Sequence, residues 1–322
     1  MKAIVLKQQN SYPVYDADYP DPVAGEGEVL VKLRHAALNR RDYWITQGKY
    51  PNIQVPVILG SDGCGKIGDR RVLLYPAINW GKSRRVQADN FEPLGMPKNG
   101  TLAEYIAVDK SYVYDAPEYL SDAEAACIGM AGLTAYRALF SRGELKAGDR
   151  VLINGVGGGV ALMACQLAIA AQAEVYVTSG SANKIDQAVK LGAKAGFNYR
   201  EENWHKKALA EGLLFDVIID SAGGPGFANL IKVAAPGGRL VTYGGTHGAL
   251  DHLNTQIIFW RQLSILGTTM GSPSEFKDLL HFITRHQIMP VIDRLYYWDM
   301  VEQGFNSLRD STQFGKVVFS LE

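Results

Sequence analysis

Short apolar runs punctuated by glycine and proline fill the early part of the chain, and longer β and helical patterns take over after residue 120. Lys2–Leu6 reads as a strand, Ser11–Gly27 is rich in Pro, Asp and Gly, and Glu28–Arg34 alternates apolar with polar side chains, as a half-buried strand does. Val55–Gly68 is broken by glycines, Arg71–Pro76 is a further strand, Ala77–Lys98 is a long polar loop, and Leu102–Val108 resumes strand character. Strands this close together with Pro/Gly turns predict an irregular β domain rather than βαβ units. From Ser121 the texture changes. SDAEAACIGMAGLTAYRALF opens with the Ser121–Glu124 spacing of a capping box and continues as helix-forming sequence, with Leu133–Phe140 helical.

Between Asp149 and Met270 the two patterns alternate, with Val151–Ile153, Val175–Val177, Phe215–Asp220, Arg239–Tyr243 and Ser264–Gly267 as strands. Such alternation predicts an α/β fold with a doubly wound parallel sheet. Its centre is Val151–Thr178: strand, glycine turn, helix, strand. Gly155, Gly157, Gly158 and Gly159 crowd the turn, and from Val160 the apolar positions Leu162, Met163, Cys165, Leu167 and Ile169 recur in steps suited to a helix packed on a sheet. A glycine turn that leaves a strand and opens a helix presents backbone N–H groups and a helix N-terminus to a pyrophosphate. The third glycine of that fingerprint falls on Ala161, a small residue that still allows close helix–strand contact. After Met270 come a helix, Pro273–His286, and a final strand, Lys316–Ser320, expected to return to the N-terminal domain. The expected division is therefore 1–125 with 270–322 as a β-rich domain and 126–269 as the dinucleotide-binding domain.

At 322 residues two domains are the natural expectation. Lys plus Arg (33) balances Asp plus Glu (33), so no global field favours nucleic acid or an anionic membrane. Cys64, Cys127 and Cys165 lie far apart with neither metal nor disulfide spacing, which suits a reduced, cytoplasmic setting. MKAIVLKQQN lacks the apolar run of a signal peptide, and no stretch is long enough to span a bilayer. The six histidines, His35, His205, His247, His252, His281 and His286, form no cluster with acids or thiols, although His247 closely follows a strand of the dinucleotide domain. Phe259-Trp260 is read as packing.

In order along the chain, LNRRDYWITQGKYP, ILGSDGCG, the turn Ala147-Gly148-Asp149-Arg150, INGVGGGVALMACQLA, Leu191–Ala193 and the closing FGKVVF resemble the medium-chain dehydrogenase/reductase family over essentially the whole length. The resemblance implies a GroES-like catalytic domain beside a Rossmann domain. In the family's zinc branch the catalytic Cys, His and Cys would fall on Asn39, Ser61 and Met130, none of which is a thiolate or imidazole. Asp62 stands where that branch has a Glu, and Ala77–Lys98 has the length of the structural zinc lobe but no cysteine. The chain thus resembles the zinc-independent quinone oxidoreductase-like branch, and no metal is expected.

An NAD site usually ends its second strand with an acid, and Val177–Lys184 contains none. Ser179, Ser181 and Lys184 instead offer hydroxyls and a cation, the partners of a phosphate, so NADP(H) is expected over NAD(H). A solvated turn at a helix start accounts for the same residues. The resemblance adds Tyr199 at the adenine end, where a half-buried loop aromatic is the alternative. It also puts Thr134, Ser221, Gly245, Thr246 and Gly267 near the nicotinamide, with Thr134 equally suited to an ordinary core role.

Without zinc, a secondary alcohol has no evident electrophile to polarise it, whereas an electron-poor acceptor needs only orientation and hydrogen bonds to its developing oxyanion. The expectation is an NADPH-dependent reductase of quinones or α,β-unsaturated carbonyls, a small electrophile being its substrate. Asn39 is a candidate donor or a turn residue, and Tyr50 a candidate for a carbonyl contact. Trp44 replaces a tyrosine of the relatives and reshapes the pocket, while Asp42 is read as structural. Two other readings stand beside this one: an alcohol dehydrogenase with an unrecognised metal site, and an NADPH-binding redox sensor without turnover. By resemblance, a homodimer formed through Rossmann sheet edges is expected.

Overall fold

The computed structural model describes residues 1–322 and divides the chain into two units, Met1–Leu133 with Gly271–Glu322, and Thr134–Met270. The crossing from the first to the second falls inside one helix, Gly129–Tyr136.

In the first unit the central strand is Glu28–Ala37. Tyr105–Asp109 pairs with its first half, Asp62–Ile67 with its second half across a register shift at Leu33/His35, and Lys316–Ser320 with its last three residues. The strand runs beyond the expected Arg34 because these later partners cover it. All its neighbours here are antiparallel, and Ile292–Tyr296 adds in parallel to Lys316–Ser320. A second small sheet joins Ala3–Leu6 to Val14–Asp16 and Val57–Ile58. Ile4, Leu6, Val31, Leu33, Leu38, Ile45, Phe305 and Phe319 belong to the core between these elements. The register has a direct consequence. Ala37 lies opposite both Asp62 and Val318, so continuing the second ladder by two residues sets Lys316 opposite Asn39.

The second unit is a parallel sheet in the order Ala195–Asn198, Glu174–Ser179, Arg150–Ile153, Phe215–Asp220, Ala234–Thr242, Ser264–Gly267. With the strands numbered in sequence within this unit, that order is 3-2-1-4-5-6, the arrangement of dinucleotide-binding folds, with ligands expected beyond the carboxyl ends where the order reverses. The α/β fold, a GroES-like β-rich unit and a Rossmann sheet, is therefore as expected. No helix is long and apolar enough to cross a membrane.

Four local expectations are corrected. The helical run after Ser121 divides into Asp122–Ala125, where Ser121 Oγ caps the Glu124 N–H, and Gly129–Tyr136, which then widens into a π turn at Arg137–Arg142 and so carries the helical course past Phe140. The second helix starts afresh because the Asp62 carboxylate takes the Met130 N–H, one of the donors a helix start leaves without an internal partner. Arg40–Thr46, unassigned from the sequence, is a helix whose entry is held by Asp42 accepting the Asn39 backbone N–H at 2.7 Å. The segment Ala77–Lys98 is not simply a polar loop: Ala77–Ile78 pairs with Glu92–Pro93, and Trp80, Leu94 and Met96 are buried. The Arg41 guanidinium ties it down through the Leu94 and Met96 carbonyls. Finally, Phe259 and Trp260 are 64% and 83% exposed, so packing within the chain does not account for them.

The three cysteines are free and fully buried, and burial pushes each thiol up to about 12. Thiolate, the reacting form, is therefore scarce at neutral pH. Native protein at pH 8 is expected to show no fast reaction with Ellman's reagent and to titrate three thiols in guanidinium. A rapid native equivalent would contradict the burial of all three.

Candidate functional site

The glycine turn of the second unit is shaped by its backbone. Gly155 and Gly157 have φ of +78° and +136°, a region that side chains disfavour. A Cβ on Gly157 would lie 2.8 Å from Lys184 Cδ and 3.2 Å from its Nζ, so Lys184 rests directly on the turn. At Gly155 and Gly158 the same position is open space. Gly158 precedes the twelve-residue helix Gly159–Ala170 without offering a side-chain cap, which leaves first-turn N–H groups, Val160 among them, available to an anion. The turn is laced to its strands: Gly155 N–H donates to Thr178 Oγ1, Thr178 donates to Asn154 Oδ1, and Asn154 Nδ2 donates to Asp220 Oδ1 at 2.6 Å.

At the end of the second strand of this sheet the expected phosphate partners separate. Ser179 is buried and its hydroxyl donates to the Val156 carbonyl at 3.3 Å, so it braces the turn from within. Ser181 precedes the helix Ala182–Lys190 and donates its backbone N–H to Ser179 Oγ. Tyr199 and Arg200 both lie against Gly180, where a Cβ would be 3.0 Å from the phenol oxygen and 2.7 Å from Arg200 Nε. Arg200, an exposed side chain, belongs to the Asn198-Tyr199-Arg200 segment that the resemblance puts at the adenine end, where Tyr199 alone is the expected contact. The pairing of Ser179 with Asn198 carries it there, two residues beyond the ladder's end. Lys184 and Arg200 thus border a strand end that carries no acid.

The other cofactor candidates sit at the neighbouring strand ends. Thr246 N–H donates to the Ser221 carbonyl and His247 N–H to that of Ala222, which joins the loops after the fourth and fifth strands. Gly245 and Thr246 are exposed, Gly267 is exposed with open space at its Cβ position, and Thr134 is 5% exposed. The backbone and Cβ of His247 pack on Gly224.

The first unit holds a buried polar network where Asn39, Asp62 and Lys316 converge. Lys316 Nζ donates to Asn39 Oδ1 at 2.6 Å and to Asp62 Oδ2 at 2.9 Å, and Asn39 Nδ2 donates to Asp62 Oδ2 at 3.0 Å. Asp62 Oδ1 accepts the Met130 N–H at 2.6 Å. The side chains of Asp62 and Lys316 are 0% and 5% exposed. Asp42, also buried, accepts the N–H groups of Asn39 and Gly60; burial raises its carboxyl pKa while Arg41 and these bonds pull the other way. It closes the capping box at the start of Arg40–Thr46.

Trp44 and Tyr50 each lie against a cation. The Lys49 ammonium lies 4.4 Å from the Trp44 ring centre, and the Arg41 guanidinium 5.3 Å from that of Tyr50. Burial raises the Tyr50 phenol pKa despite Arg41, so Tyr50 remains an O–H donor through neutral pH.

The positions matching zinc ligands offer no zinc site. Asn39 is engaged as described, Ser61 Oγ donates to the Leu94 carbonyl, and Met130 contributes its backbone N–H. No three His, Cys, Asp or Glu side chains gather to hold a metal, and the Lys316 ammonium already lies against Asp62. This donor set does not fit zinc.

Gly129 is the close-packed neighbour of this network, since a Cβ there would fall 2.4 Å from Asp62 Oδ1. Gly129→Ala is expected to displace the carboxylate from Met130 and cost about 1–3 kcal/mol, read as a lowered denaturation midpoint. An unchanged midpoint would show that the network tolerates the displacement.

Comparison with known proteins agrees with both units. The alcohol dehydrogenase GroES-like domain matches residues 25–118, and the zinc-binding dehydrogenase domain matches residues 159–285. A zinc-type alcohol dehydrogenase-like protein of Leptosphaeria maculans is 33% identical, the alignment covering 96% of this chain and 95% of the relative. An acryloyl-coenzyme A reductase of Metallosphaera sedula is 28% identical over 99% of this chain and 100% of its own. Among solved structures, an NAD-dependent alcohol dehydrogenase superposes with a TM-score of 0.94 at 32% identity, covering 100% of both chains. The quinone oxidoreductase of Thermus thermophilus, whose complex with NADPH is also solved, superposes with a TM-score of 0.84 at 27% identity, again covering 100% of both. Similarity over nearly the full length, together with the two matched domains, makes this chain a member of the medium-chain dehydrogenase/reductase family of nicotinamide-dependent oxidoreductases.

Proposed function

We propose that this chain is a zinc-independent, NADPH-dependent reductase of quinones or α,β-unsaturated carbonyls. The observation that carries the reading is the Lys316–Asp62–Asn39 network, in which Asn39 stands at one zinc-ligand position of the zinc branch and Asp62 accepts the backbone N–H of another, Met130. A site with no Lewis acid is poorly equipped to oxidise an alcohol, and suits an acceptor that is already electron-poor. The resemblance to an acryloyl-coenzyme A reductase and to a quinone oxidoreductase solved with NADPH supports the same substrate class.

When bound, the cofactor supplies a hydride. Gly155, Gly157, Gly158, Gly159 and Val160 would receive its pyrophosphate, and Thr134, Ser221, Gly245, Thr246 and Gly267 would hold its nicotinamide. Lys184 and Arg200 neutralise the 2′-phosphate, with Ser181 and Tyr199 at its margin and Ser179 holding the turn from below. On the first unit, Asn39 would offer an amide N–H to the acceptor oxygen, whose negative charge grows when a conjugated carbonyl is reduced. Tyr50 adds an O–H donor, and Trp44 shapes the pocket wall. The product gains the hydride and one proton, the proton coming from water or from Tyr50 and being replaced from solvent.

A second copy of the chain is the proposed partner. The outer strand Ser264–Gly267 pairs on one side only, and the exposed Phe259 and Trp260 lie just before it. Such an edge next to apolar surface favours self-pairing across a two-fold axis.

Chelator-treated protein is expected to oxidise NADPH when given quinones or enones; persistent NADPH absorbance across such a panel, despite bound NADPH, would remove the reading. Arg200→Ala and Lys184→Ala are each expected to raise KM for NADPH about tenfold, the order of one charge-assisted contact, and to leave NADH nearly unaffected. Equal effects on both cofactors would reject the assigned 2′-phosphate contacts. By light scattering the protein is expected at twice the chain mass and Trp260→Glu nearer one, whereas a monomeric wild type would exclude the dimer.

A further inference from the structure

We infer that Lys316 is a positioning residue: paired with Asp62, it fixes the orientation of the Asn39 amide so that an N–H is left to face the reacting oxygen. The inference rests on the proposed reading of Asn39 and explains how that reading is built into the fold.

An asparagine amide has two ends of nearly equal size and opposite hydrogen-bonding character, so shape alone does not choose between them. Here the neighbours choose. An ammonium only donates and a carboxylate only accepts. Asn39 Oδ1 meets Lys316 Nζ at 2.6 Å, and Nδ2 meets Asp62 Oδ2 at 3.0 Å, while the two charged groups meet each other at 2.9 Å. Rotating the amide by half a turn would set N–H against ammonium and carbonyl against carboxylate, turning two attractive contacts into two repulsive ones. Neither charged group has freedom to adapt. Asp62 is fully buried with its other oxygen on Met130 N–H, and Lys316 is 5% exposed. The backbone of Asn39 is held separately by Asp42.

The residue with remaining capacity is Asn39, which is 8% exposed and has one Nδ2 proton without a protein partner. The orientation selects molecules that present a hydrogen-bond acceptor there, above all a carbonyl oxygen whose charge grows during reduction. Sequence separation conceals the arrangement, which follows from the ladder that places residue 316 opposite residue 39.

The test uses the full chain carrying Lys316→Met, alone and combined with Asp62→Asn. Lys316→Met is expected to lower kcat about 100-fold, to leave the NADPH Kd within about twofold, and to lower the thermal midpoint by leaving a buried carboxylate without its cation. The double variant removes both charges, so its midpoint should recover. Its kcat should not, because the new amide at position 62 offers Asn39 a donor as well as an acceptor. Recovery of kcat together with the midpoint would reduce Lys316 to a fold-supporting role and overturn the inference. If the single variant does not fold, the double variant carries the comparison.

A second readout does not depend on turnover. The Asn39 side-chain amide resonances in 15N-labelled protein, identified by their loss in Asn39→Ser, are expected to shift in the double variant and to lose their inequivalent, exchange-protected protons. Unchanged resonances would overturn the inference whatever the kinetics. Wild-type protein that reduces no quinone or enone would remove the reductase reading, while these resonances would still decide whether Lys316 orients Asn39.

Discussion

The ion pair between Lys316 and Asp62 is the constraint on which the polar interior of the first unit depends. Taking two charges out of water is costly, and the cost is offset only when geometry is good and the remaining donors and acceptors find partners. Both carboxylate oxygens of Asp62 are engaged, and the ammonium serves two acceptors. The pair gathers the end of Glu28–Ala37, the starts of Asp62–Ile67 and Lys316–Ser320, and the first turn of Gly129–Tyr136. Replacing it by apolar side chains could maintain packing but would remove the polarity that distinguishes one end of the Asn39 amide from the other.

The second unit handles charge in the opposite way. Its glycine turn keeps backbone donors open, and its cations, Lys184 and Arg200, border the surface around Gly157 and Gly180 rather than a closed interior. Interior polar groups there, Thr178, Asn154 and Asp220, spend their hydrogen bonds on holding the turn. A mobile charged ligand needs accessible partners, whereas an internal amide that must not rotate needs inaccessible ones. The two units meet these requirements with the same few interaction types placed at different depths.

Much of the fold was legible because it rests on local periodicity. Strand, glycine turn and helix around Val151–Thr178 are contiguous, and the alternation after Asp149 leaves few alternatives to a parallel sheet. What escaped was set by distant partners. The helix Arg40–Thr46 begins from Asn-x-x-Asp rather than the expected Ser/Thr-x-x-Glu, and the break before Gly129 depends on Asp62, far away in sequence. Ser179 looked like a phosphate ligand because its neighbours suit one, yet strand alternation turns it toward Val156. Phe259 and Trp260 were apolar and so read as buried, although apolarity alone never says which surface does the burying. FGKVVF was legible as a closing strand, but nothing local marked its lysine as the partner of Asn39.

The discontinuity of the first unit also orders the events of synthesis. Thr134–Met270 is one continuous segment whose sheet needs nothing from either side, so it can form as soon as it leaves the ribosome. Asn39 and Asp62 are made early, but their cation arrives 277 and 254 residues later. Until then the N-terminal strands lack the neighbour that completes the ladder on Glu28–Ala37, and their future interior acid faces solvent. The unit translated first is thus completed last, and the nascent chain must carry an unfinished β-sheet edge through the birth of an entire second domain.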